Sequence, residues 1–371
     1  MAIAIEAPAG LEGVVVANTA IGDVRGDEGF FHYRGYPAPE LAVSRSLEEV
    51  WHLLQRGHLP SAMELRAFVR DTAPLRQLPP AVLAALPAIA SVGTPMAGLR
   101  TAFSLAGQDS ASWLDLDPDA RAREALRLTA MMPALVGALW RTRRGQPVVP
   151  SDPALGIAQD YLHMISGATP ADDAARAVER YLLLTIDHGF NPSTFAARVV
   201  ASTGADLAAT GTAGIAALSG PLHGGAPSRV IGMLDEIGTA ANARPWLERE
   251  LAAGRRIMGF GHRVYRTEDP RSKVLKETAL ALGGPVVALA VEVERVAVDI
   301  LEQKYPERNL RTNVEFYAGV VLHEIGLPAD LFSPSFAVSR MIGWMAHALE
   351  QMAGNRIIRP ASRYSGTVQL P

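Results

Sequence analysis

The sequence predicts an all-α protein of many medium-length helices, preceded by a small β-ribbon. Three observations carry this. Apolar residues recur with a 3.6-residue period from about residue 46 onward. Two helix starts carry capping boxes, Ser46-Leu47-Glu48-Glu49 and Ser61 to Glu64. No later segment alternates with period two for long enough to build a sheet.

The ribbon is expected between Gly13 and Tyr36. Val14-Val15-Val16 and Phe30-Phe31-His32-Tyr33 are β-prone runs, separated by the turn formers Gly22-Asp23 and Gly26-Asp27-Glu28-Gly29. After Ser46, Val50, Trp51, Leu53 and Leu54 share a face that stops at Gly57. Asp117-Pro118 opens a long helix that ends in Arg141-Thr142-Arg143-Arg144-Gly145, where cations suit the negative dipole end. Thr169-Pro170 starts another, running to about His188-Gly189. Further helices are predicted over 193–203, 205–218, 226–237, 245–253, 271–282, 290–304, 314–325 and 335–352. Gln146 to Pro153 reads as a linker or a loop within one domain.

Composition narrows the function. At 371 residues the chain fits one large domain or two unequal ones. A hydrophobic fraction of 49%, a charged fraction of 20% and a net charge of -3 describe a globular enzyme without the basic surplus of a nucleic-acid binder. With no cysteine, disulfides, zinc-thiolate sites and thiol catalysis are excluded. Met1 to Gly10 lacks the basic and long apolar regions of a signal peptide, so a cytoplasmic location is expected. Leu128 to Trp140 is apolar but shorter than the roughly 18 residues of a span, and reads as a buried helix.

Among nine histidines, His188, His223 and His262 each lie beside glycine at an expected helix boundary. There the backbone can turn sharply and a ligand can approach it closely. No metal-ligand spacing links them, so no metal is expected at these positions. His52, His163, His323 and His347 fall inside helical patterns, as packing or solvated residues; His32 and His58 sit near turns. Arg340 interrupts an apolar face of Phe336, Ala337, Ile342, Gly343 and Trp344. A buried guanidinium needs an anion, either an internal carboxylate or a ligand. Glu315, in NVEFYAG, opens a strongly apolar helix, as a dipole-stabilising acid or as a base in a dry pocket.

Taken together, these segments resemble the citrate synthase family. GFGHRVYRTEDPR (259–271) matches the family signature at each defining position. HGFNPSTFAARVVASTGAD (188–206), SGPLHGGAP (219–227), NVEFYAG (313–319), SRMIGW and RPASRYSG resemble further family blocks in family order. Residues 10–42 look like the ribbon of the shorter bacterial and archaeal form. The resemblance implies a multi-helical two-domain homodimer. A small domain over 220–324 closes on a large one formed by 1–219 and 325–371. The reaction implied joins acetyl-CoA to oxaloacetate and hydrolyses the citryl thioester, as in the tricarboxylic acid cycle, with no tightly bound cofactor and no metal.

The resemblance also assigns roles. His223 would donate to the thioester carbonyl and His262 to the ketone, while His188 holds oxaloacetate. Arg271, Arg340 and Arg359 would bind its carboxylates, Arg359 from across the dimer interface. Arg266 would meet the CoA phosphates, Phe336 would line the acyl pocket, and Asn191 would support the site. Glu315 stands where the family usually has aspartate. Its extra methylene shifts the carboxylate by about 1 Å unless the backbone or rotamer adjusts, enough to change rates on the order of a hundredfold. A propionyl-CoA-using 2-methylcitrate synthase is the closest alternative, because one methylene is worth only about 1–3 kcal/mol. A catalytically weak sensor binding CoA or citrate is the other. Neither nucleic acid nor membrane is an expected partner, since a solvated helix end accounts for Arg141–Arg144.

Overall fold

The computed structural model describes residues 6–224, 227–261, 265 and 267–367. The ribbon is a three-stranded antiparallel sheet, β1 (Gly22–Arg25), β2 (Phe30–Tyr33) and β3 (Tyr36–Pro37), with Val24 opposite Phe31 and Tyr33 opposite Tyr36. Val14, Val15 and Val16 are outside it and exposed, contrary to expectation. The strands form instead where turn residues bring Phe31 and Tyr33 onto one buried face. The Tyr33 hydroxyl anchors that face by donating to the carbonyl of Leu183, 2.9 Å away.

Seventeen α-helices follow among the described residues. The first five are α1 (Ala38–Ser44), α2 (Leu47–Arg56), α3 (Ala62–Thr72), α4 (Pro80–Ala90) and α5 (Pro95–Ala106). Both capping boxes form, at Ser46/Glu49 for α2 and Ser61/Glu64 for α3. Helices α1, α4 and α5 carried no clear sequence signal.

The long helix expected after Asp117 is in fact two, α6 (Pro118–Ala130) and α7 (Met132–Arg143). The cause is local. Pro133 supplies no amide to the ladder and is accommodated only in a first turn, so the chain restarts there. Ten of the twelve residues of α7 are buried, as the apolar run required. Residues 146–153 form a loop in which the buried Ser151 hydroxyl bonds Asp160 on α8 (Ile157–Ser166).

Then come α9 (Asp172–Thr185), which stops short of His188, α10 (Pro192–Ser202) and α11 (Leu207–Leu218). The remainder are α12 (Pro227–Ile237), α13 (Ala240–Ala252), α14 (Pro270–Leu282), α15 (Pro285–Lys304), α16 (Val314–Glu324) and α17 (Phe332–Ala353). The packing places the site. Helix α17 is buried nearly all round and lies against α7, α9, α10 and α11. Helices α12 to α16 pack among themselves, while α14 and α16 also touch α9. The elbow between α9 and α10, the middle of α17 and the start of α16 thus face a common region.

Candidate active site

Glu315 sits in the first turn of α16. Asn313 caps this helix, its side-chain oxygen accepting from the Glu315 amide at 3.0 Å. The Asn313 side chain also donates to the carbonyl of Gly261 at 2.8 Å, and its own amide donates to Gly259. The segment leading into His262 is therefore fastened to the helix that carries Glu315. Gly259 is needed for this, since its φ is +79° and an added Cβ would lie 2.7 Å from the Cβ of Phe316. A helix N-terminus should favour the ionised carboxylate. Burial wins instead and raises the Glu315 carboxyl to about 7, against the opposing charge of Arg271. Among the described residues that carboxyl accepts no hydrogen bond and forms no ion pair.

Arg271 opens α14 and is buried with Asp269. The pair is bidentate, Nε to Oδ1 at 3.0 Å and Nη2 to Oδ2 at 2.8 Å. Asp269 also caps α14 and accepts from the Val314 amide at 3.0 Å, so one carboxylate ties Arg271 to the start of α16. Burial would lower the guanidinium, but Asp269 outweighs it and the net shift is upward. Phe31 and Tyr265 lie against its face, 5.8 and 5.7 Å from the ring centroids. That contact brings the N-terminal ribbon into the site.

His223 is held from the other side. Its Nε2 is 2.8 Å from the Ser193 hydroxyl in the first turn of α10. That hydroxyl donates to Asn191 Oδ1 at 2.7 Å and accepts from the Trp344 indole at 3.2 Å. Asn191 itself caps α10 through the Thr194 amide. Burial, and then the charge of Arg340, lower His223 to about 4, so the ring is neutral at pH 7.

Arg340 is buried in α17, with Nε donating to the Thr185 carbonyl at 2.8 Å and its guanidinium 4.7 Å from the Phe336 ring. Among the described residues it forms no ion pair. An internal carboxylate, Asp187, reaches it through its field and not through a direct bond. Burial lowers it to about 10, partly offset by Asp187, and it stays cationic at pH 7. Asp187 is committed elsewhere, to His347 Nε2 at 3.1 Å and the Gly189 amide at 3.1 Å. His347 Nδ1 in turn faces Arg198 at 3.2 Å. Gly343 allows this closeness, because a Cβ there would collide with the carbonyl of Ile186. His188, next along, bonds the Tyr265 hydroxyl at 3.0 Å.

The structure thus gathers His188, His223, Arg271, Glu315, Phe336 and Arg340, with Asn191 behind them as a cap. His262 and Arg266 lie outside the described residues. Arg359 is exposed and is not gathered with them. Its neighbour Ile358 is pinned to Ser202 at the far end of α10, about 14 Å along the helix from Ser193. Sequence reasoning missed Ser193, Asp187, Asp269, Tyr265, Trp344 and His347. Asp269, beside Arg271 in the signature segment, was the one with a local signal. Arranged this way, the groups can bind a dianion, take a weakly acidic proton and stabilise an oxyanion.

Comparison with known proteins agrees. The family described as citrate synthase, C-terminal domain, matches residues 10–361. A citrate synthase of Haloferax volcanii is 41% identical over 97% of this chain and 96% of its own. A 2-methylcitrate synthase of Mycobacterium tuberculosis is 39% identical over 97% of this chain and 91% of its own. A citrate synthase of Thermoplasma acidophilum, solved as a ternary complex with carboxymethyl coenzyme A and oxaloacetate, superposes with a TM-score of 0.91. It is 30% identical, with 99% of this chain and 98% of that chain covered.

Proposed function

Because this chain belongs to the citrate synthase family of condensing enzymes, we propose that it joins the methyl carbon of acetyl-CoA to the ketone carbon of oxaloacetate, then hydrolyses the thioester to citrate and CoA. The observation that carries the assignment of roles is the Glu315 carboxyl, without a partner among the described residues and held at about 7 beside Arg271 while His223 is held neutral. Glu315 takes a methyl proton, and the electron pair moves onto the thioester oxygen. An N–H of His223 stabilises that oxyanion. For that, the Ser193 proton, which Asn191 Oδ1 takes in the free chain, turns to His223 Nε2 and leaves the ring's own proton on Nδ1 for the substrate. The enolate carbon then attacks the ketone, whose oxygen takes a proton with His262 as donor. Water cleaves the thioester.

Arg271 and Arg340 bind the substrate carboxylates, with Arg359 supplied across a dimer interface; its attachment far from Ser193 in its own chain supports that reading. His188 holds oxaloacetate, Arg266 the CoA phosphates, and Phe336 lines the acyl pocket. Residues 220–324 act as the smaller domain that closes on the rest, keeping water out until hydrolysis. Neither a metal nor a bound cofactor enters this chemistry.

Release of CoA thiol from acetyl-CoA, with and without oxaloacetate, tests the proposal. Oxaloacetate-dependent release supports it; ligand binding without release would favour a sensor. Since a 2-methylcitrate synthase is among the similar proteins, the ratio of kcat/KM for acetyl-CoA and propionyl-CoA decides the acyl group.

A further inference from the structure

A second cluster of chemistry-bearing side chains lies in the α2–α3 hairpin. His52 on α2, His58 in the connecting turn and Glu64 on α3 each bring one ligand atom within 4.8 Å of the others. We propose that these three residues bind a first-row divalent cation of the zinc class.

The protonation states already suit coordination. His52 is buried, and its Nδ1 is 3.1 Å from the His58 carbonyl. A carbonyl only accepts, so Nδ1 holds the proton and Nε2 is the bare nitrogen. An N–H bonded to a backbone carbonyl is the support that metal-ligating imidazoles commonly have. Among the described residues Nε2 makes no hydrogen bond. Glu64 Oε2 serves the capping box, while Oε1 meets His58 Nε2 at 3.1 Å. A cation would replace the proton shared by that last pair.

Two imidazoles and one carboxylate suit zinc, cobalt or nickel and not magnesium or calcium, which want oxygen ligands. Zinc bonds of about 2.0–2.2 Å would draw the three ligands slightly inward. His58, exposed and in a turn, can make that move. Water completes the shell, and the cation clips the end of α2 to the start of α3.

The test is equilibrium dialysis of the untagged chain with Zn²⁺, with the visible spectrum of the Co²⁺ form and Tm as further readouts. One Zn²⁺ per chain, tetrahedral-type Co²⁺ bands and a zinc-dependent rise in Tm are expected. Glu64→Gln keeps the capping box but removes the anionic ligand; it and His58→Ala should each weaken binding at least tenfold and abolish the Tm rise. Absence of zinc binding, or equal binding by both variants, would overturn the proposal.

Discussion

At the elbow between α9 and α10, Asp187 is 1% exposed and fully engaged, by His347, by the Gly189 amide and by the field of Arg340. At the start of α16, Glu315 is only partly buried, and its carboxyl has been given no partner among the described residues. Burial pushes both acids upward. At Asp187 the His347 ring and Arg340 outweigh burial and the net shift is downward; at Glu315 burial prevails and the carboxyl rises to about 7. The first carboxylate spends its charge on architecture; the second is the one proposed to take the substrate's proton.

Variants of the two acids should therefore fail differently. Glu315→Gln should lower kcat by about 10³- to 10⁴-fold while oxaloacetate still binds, measured by CoA release and by calorimetry. Turnover near the native rate would remove Glu315 from the chemistry. Asp187→Asn should instead cost stability, about 3 kcal/mol in denaturant unfolding, because it leaves Arg340 and His347 buried beside a neutral amide. An unchanged unfolding midpoint would mean that its pairing holds nothing together.

The same contrast extends to pH. Folded, Glu315 keeps its proton to about 7, whereas its unfolded reference is 4.5. Between those values the folded state binds more protons, so stability falls as pH rises. Glu315→Gln escapes this and should be more stable than the parent at pH 8, by about 2–3 kcal/mol. A less stable variant would show that the acid is not held against its preference. Ser193→Ala should have the smallest effect, about tenfold in kcat with KM little changed, by freeing the His223 ring that Ser193 orients. A rise in KM alone would give Ser193 a binding role.

What the sequence revealed follows the range of each interaction. The capping boxes at Ser46 and Ser61 are complete within four residues, and both were legible. Helix α4 hid behind Pro87, and α5 behind Gly98, residues that weaken a helical pattern though packing overrides them here. At the site, Glu315 and Arg340 were conspicuous as charges on apolar helices. Asp187, Ser193 and His347 were not, because their partners lie 30 to 160 residues away along the chain. His347 in particular looked like a helix-interior residue, and only the folded chain puts it between Asp187 and Arg198.

The most direct test of Glu315 as the proposed, burial-raised base is the pH dependence of kcat/KM for acetyl-CoA, in the parent and in Glu315→Gln. The account predicts a parent rate that climbs tenfold per pH unit below about 7 and levels above it, with that limb absent from the variant's residual rate. A parent profile flat from pH 5 to 8, or the same limb in both proteins, would contradict it.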